Sequence, residues 1–190
     1  MSKRLELVFG DITKERTDAI VNSANETLLG GGGVDGAIHR AAGLELIIEC
    51  KTLSGCKPGD AKISKGYLLL AKHVIHTVGP RWNGGKHNEK NILKSCYSRC
   101  FDVAIENGLT SISFPAISCG VFGFPTDNAV EIAVQEIKHA MSRSPQIELV
   151  RVVVQDFLVW RAYCAAFGTP SNILSFAAAK FRLSETILEL

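Results

Sequence analysis

Short apolar runs alternate with longer segments of helical periodicity along most of the 190-residue chain. Six apolar runs have the length and the flanking turn residues of buried strands. Between them, four segments place apolar residues every three or four positions, which is typical of helices that bury one face. The predicted strands cover residues 5–9, 19–21, 61–70, 73–78, 110–115 and 149–154, and the predicted helices cover residues 34–42, 44–53, 88–107 and 126–142.

This alternation predicts a three-layer α/β/α domain. Because strands that alternate with helices of this length form βαβ units, we expect a mixed, mostly parallel central sheet with helices on both faces. The break at Gly168-Thr-Pro170 limits this domain to residues 1–168. Apolar positions in residues 169–190 predict a C-terminal helical extension. We expect it to pack back on the domain, and a contact with a second copy or a partner is the alternative.

The first candidate site lies between a predicted strand and a predicted helix. Four consecutive glycines, Gly30 to Gly33, stand between Asn25 and Asp35. Such a run has a large entropy cost on folding, so a loop that keeps it needs positive φ angles or a close approach of backbone to a ligand. Since the N-terminus of a helix offers free N–H groups and a positive dipole end, we expect this loop to bind an anion.

A second strand, loop and helix follow in the same order about ninety residues further along. The strand at residues 110–115 leads into a loop with Gly120 and Gly123, and Pro125 opens the next helix. If both strands belong to one mostly parallel sheet, both loops emerge at its carboxyl edge, where open α/β sheets bind ligands. The sequence therefore predicts two anion sites at that edge.

Composition argues against several classes of partner. There are 21 Lys and Arg residues against 19 Asp and Glu, and no basic run exceeds two residues, so polymeric nucleic acid is not favoured as the main ligand. No apolar run approaches the length of a membrane span. The six cysteines, with an N-terminus that runs straight into a strand, predict free thiols in a reducing, cytoplasmic compartment. Because no Cys or His pair matches the helical spacing of Cys96 and Cys100, no metal site is expected.

The first glycine loop also invites a dinucleotide-binding interpretation. Gly31, Gly33 and Gly36 have the spacing of the Rossmann fingerprint. That motif needs glycines directly after a strand and an acidic residue about twenty positions on. Here a seven-residue loop intervenes, and Cys56-Lys-Pro-Gly occupies the later position. We therefore expect neither an oxidoreductase nor a cofactor.

Five short segments carry a family resemblance. They are Gly10-Asp-Ile-Thr13, Val21-Asn-Ser-Ala-Asn25, Leu29-Gly-Gly-Gly-Gly-Val-Asp-Gly-Ala-Ile-His39, His76-Thr-Val-Gly-Pro80 and Phe114-Pro-Ala-Ile-Ser-Cys-Gly-Val-Phe-Gly123. In order and spacing they resemble a macrodomain of the MacroD type, the class that includes bacterial O-acetyl-ADP-ribose deacetylases. The resemblance covers about residues 1–168 and leaves the tail outside.

The resemblance implies a site for ADP-ribose. Asp11 would accept a hydrogen bond from the adenine amino group, Ile12 would contribute its backbone, and Phe157 would stack on the adenine. The loop from Ser118 to Phe122 would wrap the diphosphate through its backbone N–H groups.

The same resemblance implies the residues around the distal ribose. Gly33 and Val34 would meet the distal phosphate and ribose, Asn25 would bind the ribose hydroxyls, and Asp35 would orient or activate the attacking water. Asp35 and Asn25 are thus the implied catalytic residues. The full implied ligand set is Asp11, Ile12, Ala24, Asn25, Gly32, Gly33, Val34, Asp35, Ser118, Cys119, Gly120, Val121, Phe122, Gly123 and Phe157.

The implied reaction is hydrolysis of an ester at the distal ribose, without a metal or a cofactor. The ester belongs either to O-acetyl-ADP-ribose or to mono-ADP-ribose attached to acidic side chains of proteins, which would then be partners. The alternatives are a reader that binds ADP-ribose without turnover and a phosphatase acting on ADP-ribose 1″-phosphate. The presence of both Asn25 and Asp35 argues for the ester hydrolase.

Several of these residues keep a second interpretation. Asp11 could simply form a turn before Thr13, and Asn25 could pin the glycine loop instead of binding ribose. His39, one helical turn after Asp35, could support the structure or transfer a proton. Cys119 stands where the family more often has Thr or Ser, and a position near a helix N-terminus would lower its thiol pKa.

Overall fold

The computed structural model describes residues 3–168 and 188–189 of the chain. These residues form seven strands, five α-helices and one short 3₁₀ helix. In chain order the elements are β1 (Arg4–Phe9), the 3₁₀ helix (Ile12–Lys14), β2 (Ala19–Ser23), α1 (Gly33–Ala42), α2 (Leu44–Thr52), β3 (Ala61–Lys65), β4 (His73–Thr77), α3 (Glu89–Glu106), β5 (Ser111–Phe114), α4 (Thr126–Arg143), β6 (Leu149–Val154), α5 (Phe157–Ala166) and β7 (Leu188–Glu189).

The strands form one mixed sheet in the order β3-β4-β2-β5-β6-β1-β7. Its central pairs, β4 with β2, β2 with β5, β5 with β6 and β6 with β1, are all parallel. Only the two edge strands, β3 and β7, run antiparallel to their neighbours. The predicted mixed, mostly parallel sheet is therefore confirmed.

Buried apolar residues form two clusters, because successive strand residues point to opposite faces of the sheet. Val21 and Ile75 belong to the cluster covered by α3, α4 and α5. Their neighbours Ile20 and Val74 belong to the cluster covered by α1 and α2. Helices thus cover both faces, which confirms the predicted three-layer arrangement. None of the helices in the described part of the chain combines the length and the apolar character needed to cross a membrane.

The predicted strand at residues 61–70 is too long, since β3 ends at Lys65. A tight turn follows, in which the Gly66 N–H donates to the Lys72 carbonyl at 2.7 Å. A β-carbon on Gly66 would lie 2.0 Å from the carbonyl oxygen of Ala71, so the turn requires glycine. The apolar residues of the turn misled the prediction, because Leu68 is 77% exposed and does not pack in the core.

The predicted C-terminal helix falls almost wholly on residues 169–187 and 190, which lie outside the described residues. For Leu188 and Glu189 the prediction is wrong, because they form β7 and pair antiparallel with Leu7 and Glu6. The outer edge of β1 offers free backbone groups, and an added strand satisfies them. The sequence analysis also did not predict helix α5 (Phe157–Ala166).

Candidate functional site

A cleft of about 630 Å³ opens at the carboxyl edge of the parallel strands. Its walls come from the segments that follow β1, β5 and β6, from the end of β2 and from the first turns of α1. Both predicted anion-binding loops contribute to these walls, so the fold brings them together. The lining residues are Gly10, Asp11, Ile12, Ser23, Gly32, Gly33, Val34, Ala37, Arg40, Pro115, Ala116, Ser118, Cys119, Gly120, Val121, Phe122, Val153, Val154, Gln155, Asp156 and Val159.

Asp11 uses one carboxylate oxygen for structure and leaves the other free. Its Oδ1 accepts hydrogen bonds from the backbone N–H of Thr13 at 2.9 Å and from the Thr13 hydroxyl at 2.8 Å. These bonds cap the 3₁₀ helix that begins at Ile12. Within the described residues no hydrogen bond uses Oδ2. The turn interpretation of Asp11 is therefore right for one oxygen, and the second remains available to a ligand in the cleft.

A buried ion pair fixes the segment that carries Asp11. Arg151 on β6 donates to Glu15 Oε2 at 2.9 Å and to Glu6 Oε2 on β1 at 2.9 Å. Ser113 on β5 also donates to Glu15, at 2.8 Å. Glu15 and Glu6 are both buried, so each needs these partners. The network ties the segment after β1 to the centre of the sheet and so sets the position of Asp11 in the cleft.

The glycine loop ends where α1 begins, at Gly33. Gly30 and Gly33 have φ angles of +86° and +59°, a conformation that other residues rarely adopt. Because the capping position, Gly32, has no side chain, it makes no side-chain cap bond to the first-turn N–H groups of α1. A β-carbon on Gly36 would lie 2.3 Å from the carbonyl oxygen of Gly31, so the loop can cross the helix only at glycine.

Asp35 lies directly beneath this loop and is only 4% exposed. Its Oδ1 accepts a hydrogen bond from Asn22 Nδ2 at 2.7 Å, and its Oδ2 lies 3.4 Å from Asn25 Nδ2. Burial raises the pKa of Asp35, while the bond from Asn22 and the nearby His39 act in the opposite direction. Asp35 is therefore a buried carboxylate with enhanced basicity. It directly follows Val34, which lines the cleft, but Asp35 is not itself among the cleft-lining residues.

The side-chain amide of Asn25 forms hydrogen bonds with the loop and with Asp35. Its Nδ2 donates to the carbonyl of Gly30 at 2.8 Å as well as to Asp35. Its Oδ1 accepts from the backbone N–H of Thr27 at 3.0 Å and from the Thr27 hydroxyl at 2.6 Å. The side chain thus pins the loop, as one of its two interpretations predicts. Contact with a ribose would require one of these bonds to be exchanged, so the ribose-binding role stays a prediction.

The second loop presents backbone N–H groups to the cleft. Cys119, Gly123 and Phe124 donate theirs to carbonyls within the loop. Among the described residues, no hydrogen bond uses the N–H groups of Gly120, Val121 and Phe122, which all line the cleft. Three successive free donors are an arrangement that can bind an anion, so the predicted role of this loop stays a prediction.

One expectation about this loop needs correction, because the helix that follows it does not reach the cleft. Helix α4 begins at Thr126, and neither its first turn nor Gly123 is among the cleft-lining residues. The buried Phe124 separates loop from helix. The candidate second anion site therefore consists of loop backbone without a contribution from α4, and its role stays a prediction. The first turns of α1 and α5 do reach the cleft.

Comparison with known proteins gives the same assignment as the geometry. The model of the Macro domain family matches residues 21–133, more than half of the chain. The chain belongs to the macro domain family. It is 54% identical over 150 residues to a macro domain-containing protein of Methanosarcina mazei, covering 79% of this chain and 80% of that protein. It is 48% identical over 158 residues to the O-acetyl-ADP-ribose deacetylase 1 of Pantoea vagans, and the match covers 81% of this chain and 92% of that protein.

A solved structure of the Trypanosoma brucei macrodomain in complex with ADP-ribose is also similar to this macro domain. The two share 38% sequence identity with a TM-score of 0.82, and the match covers 86% of this chain and 69% of that one. The family resemblance drawn from the five segments is thus confirmed.

Cys119 of the macro domain contradicts the expectation of a lowered thiol pKa. Burial, together with the negative charge of Asp156, raises the pKa of Cys119 to about 12. The thiolate is strongly disfavoured at neutral pH, which argues against a nucleophilic role.

Two buried side chains and one partly buried side chain near Asp35 offer metal-ligand atoms. His39, Cys50 and His76 bring donor atoms to within 4.8 Å of one another. However, the Nε2 atom of His76 already forms a 2.8 Å hydrogen bond with Ser64, and burial raises the pKa of the Cys50 thiol to about 11. We assign no metal to this cluster, and the expected absence of a metal site stays a prediction. His39 Nε2 lies 3.5 Å from Asp35 Oδ1, and neither ring nitrogen has a hydrogen-bond partner among the described residues.

The sequence analysis placed Phe157 at this site but did not predict two charged residues that line the cleft, Asp156 and Arg40. Phe157 is the first residue of α5, 40% exposed, and it does not line the cleft, so its stacking role stays a prediction. The adjacent Asp156 lines the cleft and caps α5. Arg40 on α1 also lines the cleft and adds a cation, three residues beyond Ala37 on the same helix. Ala37 and Arg40 follow Gly33 by four and seven positions, so helical spacing would have predicted that they lie on the same face of α1.

Proposed function

We propose that this macro domain is a hydrolase that binds ADP-ribose derivatives and cleaves an ester at the distal ribose, with O-acetyl-ADP-ribose as its substrate. The observation that carries the proposal is Asp35, a buried carboxylate of raised pKa held against the loop that forms one wall of the cleft. The relative from Pantoea vagans named O-acetyl-ADP-ribose deacetylase 1 supports the substrate, and the Trypanosoma brucei complex with ADP-ribose supports the ligand class.

The cleft suits a dinucleotide-like ligand in one orientation. Its volume of about 630 Å³ is in the usual range for small-molecule sites, roughly 300–1,000 Å³. The free Oδ2 of Asp11 is the acceptor available for an adenine amino group. The free N–H groups of Gly120 to Phe122 and those at the start of α1 bind the diphosphate from two sides. The distal ribose then lies over Gly32 and Gly33, next to Asp35.

Asp35 carries the chemical step in this proposal. Its carboxylate accepts a proton from water as the water oxygen adds to the acyl carbon of the ester. When the bond between that carbon and the ribose oxygen breaks, the protonated Asp35 returns this proton to the ribose oxygen, and a carboxylic acid and ADP-ribose are released. A base whose pKa is raised towards the working pH accepts the proton more readily than an exposed aspartate does.

Removal of mono-ADP-ribose from glutamate or aspartate side chains of proteins belongs to the same proposal, because that linkage is the same type of ester. The modified protein would lie outside the cleft, with only its ADP-ribose inside. A second candidate, an ADP-ribose reader, is favoured by one observation: the hydrogen-bonding groups of Asn25 are all used within the loop. A reader needs the cleft but no free group beside the ribose.

One comparison of initial rates tests the proposal. The protein is incubated separately with O-acetyl-ADP-ribose, with protein carrying glutamate-linked mono-ADP-ribose and with ADP-ribose 1″-phosphate, and its Kd for ADP-ribose is measured by calorimetry. We expect fastest turnover of O-acetyl-ADP-ribose. Tight binding of ADP-ribose without turnover of any of these would replace the hydrolase by the reader. Turnover of the phosphate alone would indicate the phosphatase.

A further inference from the structure

A buried chain of hydrogen bonds leads from the edge strand β3 to the Asp35 carboxylate. Ser64 Oγ lies 2.8 Å from His76 Nε2, and His76 Nδ1 lies 3.1 Å from Asn22 Nδ2. The same Nδ2 donates to Asp35 Oδ1 at 2.7 Å. Ser64, His76, Asn22 and Asp35 are each less than 5% exposed. Water therefore does not compete for these bonds, and each group depends on its protein partners.

Ser64, the first group in this series of hydrogen bonds, determines which atom donates in each bond. The Ser64 hydroxyl donates its one proton to the carbonyl of Lys65, at 3.2 Å. On this assignment the Ser64 oxygen accepts from His76 at 2.8 Å, which places the ring proton on Nε2. Burial lowers the pKa of His76 to about 3, with the nearby His39 acting in the same direction, so the ring is neutral. A neutral ring with its proton on Nε2 presents Nδ1 as an acceptor.

That acceptor decides which way the Asn22 amide points. With Nδ2 towards His76, its two hydrogens go to His76 Nδ1 and to Asp35 Oδ1. Asn22 Oδ1, on the other side, is buried and has no hydrogen-bond partner among the described residues, so nothing there opposes a flip. If His76 carried its proton on Nδ1, the amide oxygen would turn towards it and also towards Asp35. An oxygen facing that carboxylate favours its protonated form.

We propose that His76 is a positioning residue for the hydrolytic step: it holds the Asn22 amide in the one orientation that donates to Asp35. This inference rests on the proposed function for its catalytic consequence, but the hydrogen-bond geometry itself is independent of that function. Asp35 stays ionised and aligned because the Lys65 carbonyl, through Ser64 and His76, fixes the amide. No part of His76 touches the cleft, so its effect on a ligand passes through Asn22.

The other groups that face His76 do not supply the same control. His39 on α1 has its ring centre 6.3 Å from that of His76, and Cys50 on α2 lies 3.7 Å from Nε2. Among the described residues, neither forms a hydrogen bond with the Asn22 amide. Cys50 therefore provides a control, since it is fully buried and its weak bond to His76 is on Nε2, the ring nitrogen away from Asn22.

Three variants separate positioning from packing. His76→Leu removes the acceptor and frees the amide to rotate. His76→Asn retains an acceptor on the γ-carbon, where Nδ1 stands in histidine. Cys50→Ala removes the weak 3.7 Å bond between Sγ and His76 Nε2 and leaves the bonds of Ser64 and Asn22 to the ring in place. We expect His76→Leu to lower kcat on O-acetyl-ADP-ribose by about 10²-fold with little change in KM. The acidic limb of its pH profile should move up by about 0.5 to 1 pH unit, since Asp35 loses a hydrogen bond.

His76→Asn should recover most of the kcat and return the acidic limb to its wild-type position. Cys50→Ala should lower the melting temperature without moving that limb. An unmoved limb in a folded His76→Leu protein, or an equal movement in Cys50→Ala, contradicts the positioning role.

A spectroscopic measurement tests the inference even if the wild-type protein proves inactive. Imidazole ¹⁵N shifts at neutral pH should show a neutral His76 ring with its proton on Nε2. Carboxyl ¹³C titration, assigned with Asp35→Asn, should give a higher Asp35 pKa in His76→Leu than in wild type. A proton on Nδ1 in the wild-type ring overturns the proposal, and this measurement stands if the Leu variant does not fold. Absence of turnover in wild type, with the expected tautomer, would instead overturn the proposed function alone.

Discussion

Replacing Gly31 by alanine should impair catalysis without impairing the fold. A β-carbon at Gly31 would lie 3.0 Å from Asp35 Oδ2 and 3.3 Å from Asn25 Nδ2. The φ angle of Gly31 is not positive, so the folded backbone accepts alanine there. Alanine also restricts the unfolded chain, which stabilises the protein by about 0.4–1 kcal/mol and offsets the crowding. The substitution therefore acts mainly on the position of the carboxylate.

The size of the effect follows from the distance. Relaxing the 3.0 Å contact to an ordinary 3.4 Å moves the carboxylate by roughly 0.4 Å. If a 1 Å misplacement costs about 10²-fold in rate and the loss is logarithmic in displacement, kcat should fall about sixfold. That factor corresponds to about 1 kcal/mol in the activation free energy.

Gly32→Ala is the matched control for this substitution. No atom lies within 4 Å of a β-carbon at Gly32, and its φ angle of −94° also accepts alanine. Because Gly32 lines the cleft, its substitution should act on KM, while kcat stays within about twofold of wild type. The assay is steady-state hydrolysis of O-acetyl-ADP-ribose, with melting temperatures measured in parallel. Equal kcat values for Gly31→Ala and Gly32→Ala would refute the inferred contact between Gly31 and the catalytic carboxylate.

The remaining predictions concern the binding residues and stability. Asp11→Asn keeps the oxygen that caps Thr13 but turns the free acceptor into a donor, so calorimetry should show a loss of about 1–3 kcal/mol in ADP-ribose binding; unchanged affinity removes Asp11 from the site. Gly120→Glu, at an unstrained position with open space, should weaken ADP-ribose binding at least about tenfold relative to Gly120→Gln, and equal affinities would misplace the diphosphate. Because the folded-state pKa of His76, about 3, lies below its ordinary 6.5, the unfolded state binds more protons in that range. The unfolding free energy of the wild-type protein should therefore decrease as the pH is lowered below 6.5, by up to about 1.4 kcal/mol per pH unit. In denaturant titrations this decrease should be steeper than that of His76→Leu.

The central architecture could be predicted because its signals are local. Apolar runs such as residues 149–154 are long enough for buried strands, and Gly43 and Gly108 mark the ends of two helices. The errors arose where apolar residues lie in a turn or in a short helix and not in a strand. Residues 66–70 form a turn in which Leu68 and Leu70 are exposed. Helix α5 was missed although Asp156 precedes its apolar residues as a side-chain cap.

The two anion-binding loops could also be located from the chain, because glycine spacing and helix starts are visible in it. The sequence could not show which side chains, distant along the chain, form hydrogen bonds with one another. Asn25 was placed at the ribose, but its amide is used by Gly30, Thr27 and Asp35. The partner that holds Asp35 is Asn22, on a strand rather than in the loop.

The Cys119 error has the same origin. Its thiol pKa depends on burial and on Asp156, which is brought near by β6, and not on the helix that follows Cys119 in the chain. Local order along the chain predicted a helix dipole, whereas packing between distant segments determines the electrostatic environment.

The most direct test of the account compares catalysis and binding in one variant. Asp35→Asn keeps the size of the side chain and an oxygen that can accept from Asn22, but it removes the base. With the same preparations, kcat on O-acetyl-ADP-ribose and Kd for ADP-ribose are measured for wild type and variant. The account predicts that kcat falls by about 10² to 10⁴ while Kd changes far less. A variant that keeps wild-type kcat would contradict the catalytic role of Asp35.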